Sequence, residues 1–336
     1  MRPTVLVTGA TGSIGRFVVP ALIGAGYLVR GQYLRAPGNV PDVDWQRWNF
    51  LDNLQVEPLV EGCDAVIHLA AELSDIGKME RINVDATRAL AEAAAASGAR
   101  YFGHASSIVV YGSPRTRRVD EQTPLIDLAR PVAKQYCAEP YMLEYARTKT
   151  MAELALREAA PAMRVDLLRL TVVADSQRIL EAANWSKLRK ALCLYRRTQY
   201  VLASDVASAI AHLLGRGLQN GSDRIEAYNI CDDACGAYRE LFARAYALTH
   251  DPRYSVPFEL PIVADMAKNW SLSRTLEIRY PLGMLRFAND KLCATGFRFP
   301  TGIEAALEQA LFSRVEGLKG NTLPQAVPLR QRSGIR

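Results

Sequence analysis

The sequence predicts an α/β fold: a parallel sheet wound with helices on both faces, followed by a smaller, mostly helical lobe. Three observations predict it. Over the first 110 residues, short apolar runs alternate regularly with runs that read as helices. The segments that join them are short. A glycine-rich turn, "VTGATGSIG", stands between the first apolar run and the first helical one. Strand and helix in turn, joined by short loops, imply a doubly wound parallel sheet.

The elements follow in order. "TVLVTGA" is a short buried strand, and "GRFVVPALIGAG" is a helix closed by glycine. "YLVRGQYL" is the second strand, and "DWQRWNF" holds the third. "NLQVEPLVEG" is a short helix, "DAVIHLAA" the fourth strand, and "NVDATRALAEAAAASG" an alanine-rich helix. "RYFGHASSIVVYG" is the fifth strand. From Ser113 to about Tyr141 the pattern lapses into a loop rich in Pro and Arg, long enough to be functional or mobile. The helix "EPYMLEYARTKTMAELALREAA" follows, then "MRVDLLRLTVV" as the sixth strand, "SDVASAIAHLLGRG" as a helix and "EAYNI" as a further strand. Residues 236–317 read as helices with little strand. These readings divide the chain into a sheet domain at 1–171, to which 196–231 returns, and a small lobe at 172–195 and 232–317. Residues 318–336, polar and basic, are expected to be a disordered tail.

With 336 residues and 49% hydrophobic composition, the chain can bury a sizeable core. No apolar run approaches the roughly 18 residues that span a bilayer. The chain enters an apolar strand almost at once, so no secretory signal is expected, and a cytoplasmic location is. The six cysteines, at 63, 137, 193, 231, 235 and 293, form no C-x-x-C pair. Cys231 and Cys235 flank "DDA" without a second pair to complete a zinc set, so no metal is expected and free thiols are. A net charge of +6 is modest, and the basic residues form no aromatic-interleaved stripe, which argues against nucleic acid.

Gly9, Gly12 and Gly15 permit a tight turn and let backbone N–H groups approach a pyrophosphate at a helix N-terminus. The strand before and helix after are the context this motif needs. Its T-G-x-x-G-x-x-G spacing resembles that of the extended short-chain dehydrogenases/reductases, the epimerase/dehydratase-like branch. "DAVIHLAA" resembles the family's strand-four motif, "INVDATRAL" its N-V-x-G-T motif, and "ASSIVVYG" its S-S-x-x-V-Y-G strand. "YARTKTMAE" is similar to its Y-x-x-S-K-x-x-A-E helix. "YVLASDVASAI", "YNICDD" and "NDKLCATGFRFPTGIEAAL" resemble its later segments. The resemblance covers about residues 4–312.

The resemblance implies a Rossmann-type domain, a nicotinamide cofactor and a Ser-Tyr-Lys triad. Tyr145 and Lys149, four apart on a helix, share a face. Lys149 is expected to bind the cofactor ribose and, as a nearby cation, to bring Tyr145 down from the usual phenol range of about 10. Ser107, four residues before Tyr111, is expected to hydrogen-bond the substrate oxygen, with Ser106 as the fallback. Asn83 either caps its helix or supports the nicotinamide. Gly9, Thr11, Gly12, Ser13, Ile14 and Gly15 form the pyrophosphate turn, and Leu69, Ala70 and Ala71 lie against the cofactor. His68 and His104 read as satisfied core histidines, and Tyr111 as a packing residue.

Enzymes that prefer NAD place an acid near the end of strand two. Between Tyr27 and Pro41 this chain has none, but has Arg30 and Arg35, which favours NADP. Asn49 falls where the family often reads adenine. The region after strand six lacks the family's Asn and Y-G-P, so the substrate lobe is abbreviated. Arg197 and Arg279 lie near positions that hold a diphosphate in nucleotide-sugar enzymes. Three functions remain open: an oxidoreductase acting on a secondary alcohol or ketone of a sugar-like or cyclic molecule, a nucleotide-sugar epimerase, and a non-catalytic dinucleotide sensor. The resemblance also implies a homodimer through helices 83–97 and 142–160.

Overall fold

The structure is a computed structural model and describes residues 2–136, 138–159, 163–220, 224–233, 236–256, 258, 263, 267 and 279–320. Its strands, in chain order, are β1 (Thr4–Thr8), β2 (Leu28–Tyr33), β3 (Val43–Arg47), β4 (Ala65–His68), β5 (Tyr101–Ser107), β6 (Arg118–Val119), β7 (Arg164–Leu170), β8 (Val172–Val173), β9 (Tyr200–Val201), β10 (Ile225–Ile230) and β11 (Arg286–Phe287). Seven of them form one sheet in the order β10-β7-β5-β4-β1-β2-β3, and every pairing is parallel. The order reverses between β1 and β4, so the glycine turn after β1 opens at the crevice where such sheets bind ligands.

The helices used below are α1 (Gly15–Gly24), α2 (Glu57–Val60), α3 (Ile76–Glu80), α4 (Ala86–Ala96), α5 (Val132–Gln135), α6 (Pro140–Ala159), α7 (Ser176–Leu180), α8 (Lys187–Cys193), α9 (Ala203–Asn220) and α10 (Tyr238–Thr249). Alternation along the strands divides the core in two. Val5 and Val7 pack with Val18, Leu22, Val206 and Ile210 under α1 and α9. Leu6, Val66 and Phe102 pack with Leu90, Ala91, Ala94 and Leu156 under α2, α4 and α6. The alanines of α4 let that helix lie close to the sheet, and each fully buried Leu or Phe contributes about 1.5–3 kcal/mol.

A third cluster joins Ile179, Leu180, Phe242, Tyr254, Leu307 and Leu311 from α7, α10, the 3-10 turn Pro252–Tyr254 and the helix Ile303–Gly320. This cluster draws on both segments expected to form the small lobe, together with Leu202. It is tied to the sheet domain by the β8–β9 pair, while α9 and β10 return to the main sheet. The helix ending at Gly320 runs three residues into the stretch expected to be tail. Residues 321–336 lie outside the described residues, as do Cys137 and Cys235. Among the described residues, no helix is long and apolar enough to cross a membrane.

At the carboxyl ends of the strands, the face under α4 and α6 turns from apolar to polar. Asn229 is in register with Arg169, Arg169 with Ser106, His104 with His68, and His68 with Thr8. Glu153 of α6 closes this row. It accepts from Arg169 Nε at 3.0 Å, from Arg169 Nη2 at 2.7 Å and from Ser106 Oγ at 2.6 Å. The two charged side chains are 3% and 1% exposed. Arg169 also donates to the Tyr111 hydroxyl at 2.9 Å, which itself donates to Asn229 Oδ1 at 2.7 Å. Glu153→Met, which strands a buried guanidinium, should lower the unfolding free energy by about 3–5 kcal/mol in urea denaturation. The double variant Glu153→Met/Arg169→Met should lose much less, because no charge is then left unpaired. Equal losses in the two would show that packing, not the ion pair, holds α6.

Candidate active site

Gly9 has φ +63°, and a Cβ there would lie 2.9 Å from the Ala70 nitrogen. A Cβ on Gly15 would lie 2.3 Å from the Gly9 carbonyl. Both positions therefore admit only glycine. Gln32 holds the turn from below: its Oε1 accepts from Gly9 N–H at 2.8 Å, its carbonyl accepts from Ala10 N–H at 3.0 Å, and its Nε2 donates to Trp48 O at 2.7 Å. Thr11, Gly12 and Ser13 stand exposed at the tip. Among the described residues, the N–H groups of Thr11, Ser13 and Ile14 find no backbone carbonyl. Open N–H groups at the start of α1, with no side chain in the way, fit a dinucleotide pyrophosphate.

The segment after β4 forms the opposite wall. Leu69 and Ala70 both donate their N–H to Thr8 Oγ1 at 3.2 Å, which presses Ala70 against Gly9, and Leu69, Ala70 and Ala71 remain half-buried. Asn83 does not cap α4. It lies within a π-helical turn, Arg81–Asp85, and is fully buried. Its Oδ1 accepts from Glu72 N–H at 2.8 Å, and its Nδ2 donates to Glu72 O at 2.9 Å and to Thr148 Oγ1 at 3.2 Å. Asn83 thus staples this wall to the turn of α6 that carries Tyr145 and Lys149.

Ser107, Tyr145 and Lys149 converge. Ser107 ends β5, its Oγ accepting from Val109 N–H at 3.4 Å, and its side chain hydrogen-bonds Tyr145. Lys149 is 1% exposed, donates to Ala105 O at 2.8 Å and lies 5.9 Å from the Tyr145 ring centroid. Burial brings the Lys149 ammonium down to about 8, opposed by the Glu153 carboxylate. Burial pushes the Tyr145 phenol up to about 12, opposed by the Ser107 hydrogen bond. The expectation that Lys149 would bring Tyr145 down is therefore reversed, the phenol being raised by burial. Desolvation dominates the phenol, while the Lys149 ammonium is directed at the Ala105 carbonyl. Ser106 faces the other way, into the Glu153–Arg169 pair.

Arg35 lies exposed just past β2. Arg30 is occupied elsewhere: it pairs with Asp44 at 2.7 Å and donates to the Leu59 and Glu61 carbonyls. Asn49 holds its own turn, with Nδ2 donating to Asp52 at 2.7 Å and Oδ1 accepting from Leu51 N–H at 3.2 Å. Arg279 Nη1 donates to Ser113 O at 3.1 Å, beside the chain leaving the catalytic strand. Arg197 sits at the lobe seam, bridged to Ala237 and donating its N–H to Gly283 O at 2.9 Å. Tyr111 packs in the core and is hydrogen-bonded there.

His68 is satisfied, with Nδ1 at 2.6 Å from Thr8 Oγ1 and Nε2 at 3.0 Å from Thr87 Oγ1. His104 is not: among the described residues neither ring nitrogen has a partner. Glu153, Arg169 and Gln32 escaped the sequence reading as site supports. Glu153 lies four residues after Lys149 on the same helix stripe, and Gln32 is a polar residue inside an apolar strand. Those two signals could have found them.

The model of the NAD-dependent epimerase/dehydratase family matches residues 5–231. The chain belongs to that family. Its curated relatives include reductases and an epimerase. Cinnamoyl-CoA reductase 2 of Medicago truncatula is 30% identical over 94% of this chain and 91% of its own length. UDP-glucose 4-epimerase of Drosophila melanogaster is 31% identical over 47% of this chain and 53% of its own length. The chain spans 40–58% of the length of several curated relatives. A short-chain dehydrogenase/reductase superfamily protein from Agrobacterium tumefaciens, solved with bound NAD, has the same fold. It superposes with TM-score 0.67 at 23% identity, covering 95% of this chain and 99% of that one.

Proposed function

We propose that this family member is a reductase or dehydrogenase that moves a hydride between a nicotinamide dinucleotide and a secondary alcohol or ketone of a sugar-like or cyclic small molecule. The observation that carries the reading is the convergence of Ser107, Tyr145 and Lys149 above the glycine turn. The nicotinamide, when bound, supplies or accepts the hydride. Ser107 orients the substrate oxygen. Tyr145 exchanges a proton with that oxygen, and Lys149 holds the cofactor ribose. Burial keeps the Tyr145 phenol protonated, with a pKa of about 12, which is the state from which a carbonyl reduction starts. Near-full-length similarity to a curated reductase supports the same direction. An epimerase would use the same three residues but consume no cofactor, so net oxidation of the reduced dinucleotide separates the two. A non-catalytic sensor has no need of the Tyr145–Lys149 pair.

Arg35, exposed beyond β2 with no acid between Tyr27 and Pro41, supports a preference for NADP through a charge-assisted contact to the 2′-phosphate. The proposed homodimer would use the outer faces of α4 and α6. Its apolar surface is smaller than the sequence suggests, because Ala86, Ala91, Ala93 and Ala94 are buried under α4. What is left centres on Leu154, 45% exposed, with Ala96 exposed and Met151 and Ala95 half-buried.

Three measurements test these proposals. Tyr145→Phe should leave dinucleotide affinity nearly unchanged and cut turnover by about 10²–10⁴ in an absorbance assay with ketone substrates. Lys149→Met should weaken both, and full activity in the Phe variant would remove Tyr145 from the proton transfer. NADP should bind more tightly than NAD by calorimetry, and Arg35→Ala should erase most of the difference; equal wild-type affinities would overturn the preference. Light scattering should give twice the chain mass at micromolar concentration, and Leu154→Glu should halve it. A monomer at every concentration would reject the dimer.

A further inference from the structure

His104 lies on β5, on the face covered by α4 and α6, and is wholly buried. Its ring centroid is 5.5 Å from that of His68, the planes tilted by 30°. Neither His104 nitrogen meets a protein partner among the described residues. A neutral imidazole carries one donor and one acceptor, and buried polar groups almost always find a protein or water partner. The neighbours are already committed. His68 is held by the Thr8 and Thr87 hydroxyls, and Ser106 and Glu153 are taken up with Arg169. Lys149 is the exception. It has three N–H donors, and one of them reaches the carbonyl of Ala105, the residue next to His104.

We propose that His104 is a positioning residue for Lys149, its imidazole holding a buried water that accepts a hydrogen bond from the lysine ammonium. The water donates to the acceptor nitrogen of His104 and takes one Lys149 N–H on its oxygen. The unpartnered imidazole supplies one acceptor and the ammonium has N–H donors beyond the one given to Ala105, two of the partners such a water requires. Burial first, and then the Lys149 charge and His68, hold His104 well below its usual range, so it stays neutral and able to accept. Burial and Lys149 likewise bring His68 to about 3. The charged or titratable groups around Lys149 are then Glu153 and Tyr145 on its own helix, with His104 and His68 from the sheet. Only Glu153 among them carries an opposing charge, and it is shared with Arg169. The His104–water contact therefore helps to keep the ammonium charged.

This inference rests on the proposed role of Lys149 in holding the cofactor, and its test separates the two. Calorimetric titration of the full chain with oxidised nicotinamide dinucleotide is repeated across about pH 6 to 10. Lys149 is charged below its pKa, so wild-type affinity should fall as pH rises through about 8. His104→Phe removes the acceptor and should move that fall down by about one pH unit, roughly a tenfold shift in the ammonium's ionisation constant. His104→Gln, which offers the water an amide, should return the midpoint most of the way. A purely space-filling His104 predicts a changed melting temperature with an unmoved midpoint in the Phe variant, and that result overturns the proposal. Should the Phe variant not fold, the wild-type chain decides. Its His104 ring-nitrogen resonances should titrate with the Lys149 midpoint, and flat resonances overturn the proposal. A wild type that binds no dinucleotide removes the proposed function, while the nitrogen titration still answers for His104.

Discussion

Helix α6, which carries Tyr145 and Lys149, is held by a buried ion pair. Arg169 projects from β7 and Glu153 from α6, and their bidentate contact lies out of water between sheet and helix. Two charges in such a place cannot drift apart, because either one alone would carry the whole cost of its desolvation. Ser106 and Tyr111 attach themselves to the same pair, which ties the end of β5 to it as well. Ser107 follows Ser106 directly, and Lys149 stands one helical turn before Glu153. The pair therefore fixes both sides of the Ser107–Tyr145–Lys149 arrangement without touching any reacting atom.

A second set of polar contacts performs the same task for the dinucleotide turn. Gln32 binds the turn through its side chain and backbone, and Thr8 collects two N–H groups from the strand beside it. Asn83 then joins that strand's loop to α6. Glycine turn, opposing wall and catalytic helix are one hydrogen-bonded unit. Such a unit can hold reacting groups in position only if its members are all satisfied, since a buried network with a gap is less stable than an apolar core. His104 lies outside this unit, on β5, and neither of its ring nitrogens has a partner among the described residues.

The fold was legible because its signals are local and repeated. Alternating strands such as Val5-Leu6-Val7 and glycine positions with no room for a Cβ leave their mark within a few residues. Tyr145 and Lys149 were legible for the same reason, being one helical turn apart. What stayed hidden depends on pairing across sequence distance. Nothing near Asn229 announces Tyr111, and nothing near Arg169 announces Glu153. The direction of the Tyr145 shift was hidden for a different reason. Spacing shows that a cation is near, while the desolvation that opposes it depends on how the whole cleft is covered.

Desolvation acts in opposite senses on the two central groups. It raises Tyr145 and lowers Lys149, so both move toward their neutral forms. A reduction can begin from a neutral phenol, which has a proton to give. An oxidation cannot, because it needs a base, and the phenol becomes one only if positive charge is restored beside it. Lys149 is the chain's own means of restoring it, and of the two groups it titrates nearer neutral pH, at about 8. In the proposed reaction, the favoured direction is therefore set less by Tyr145 itself than by whatever keeps Lys149 protonated: Glu153 from its own helix, and the polar ends of β4 and β5 from below.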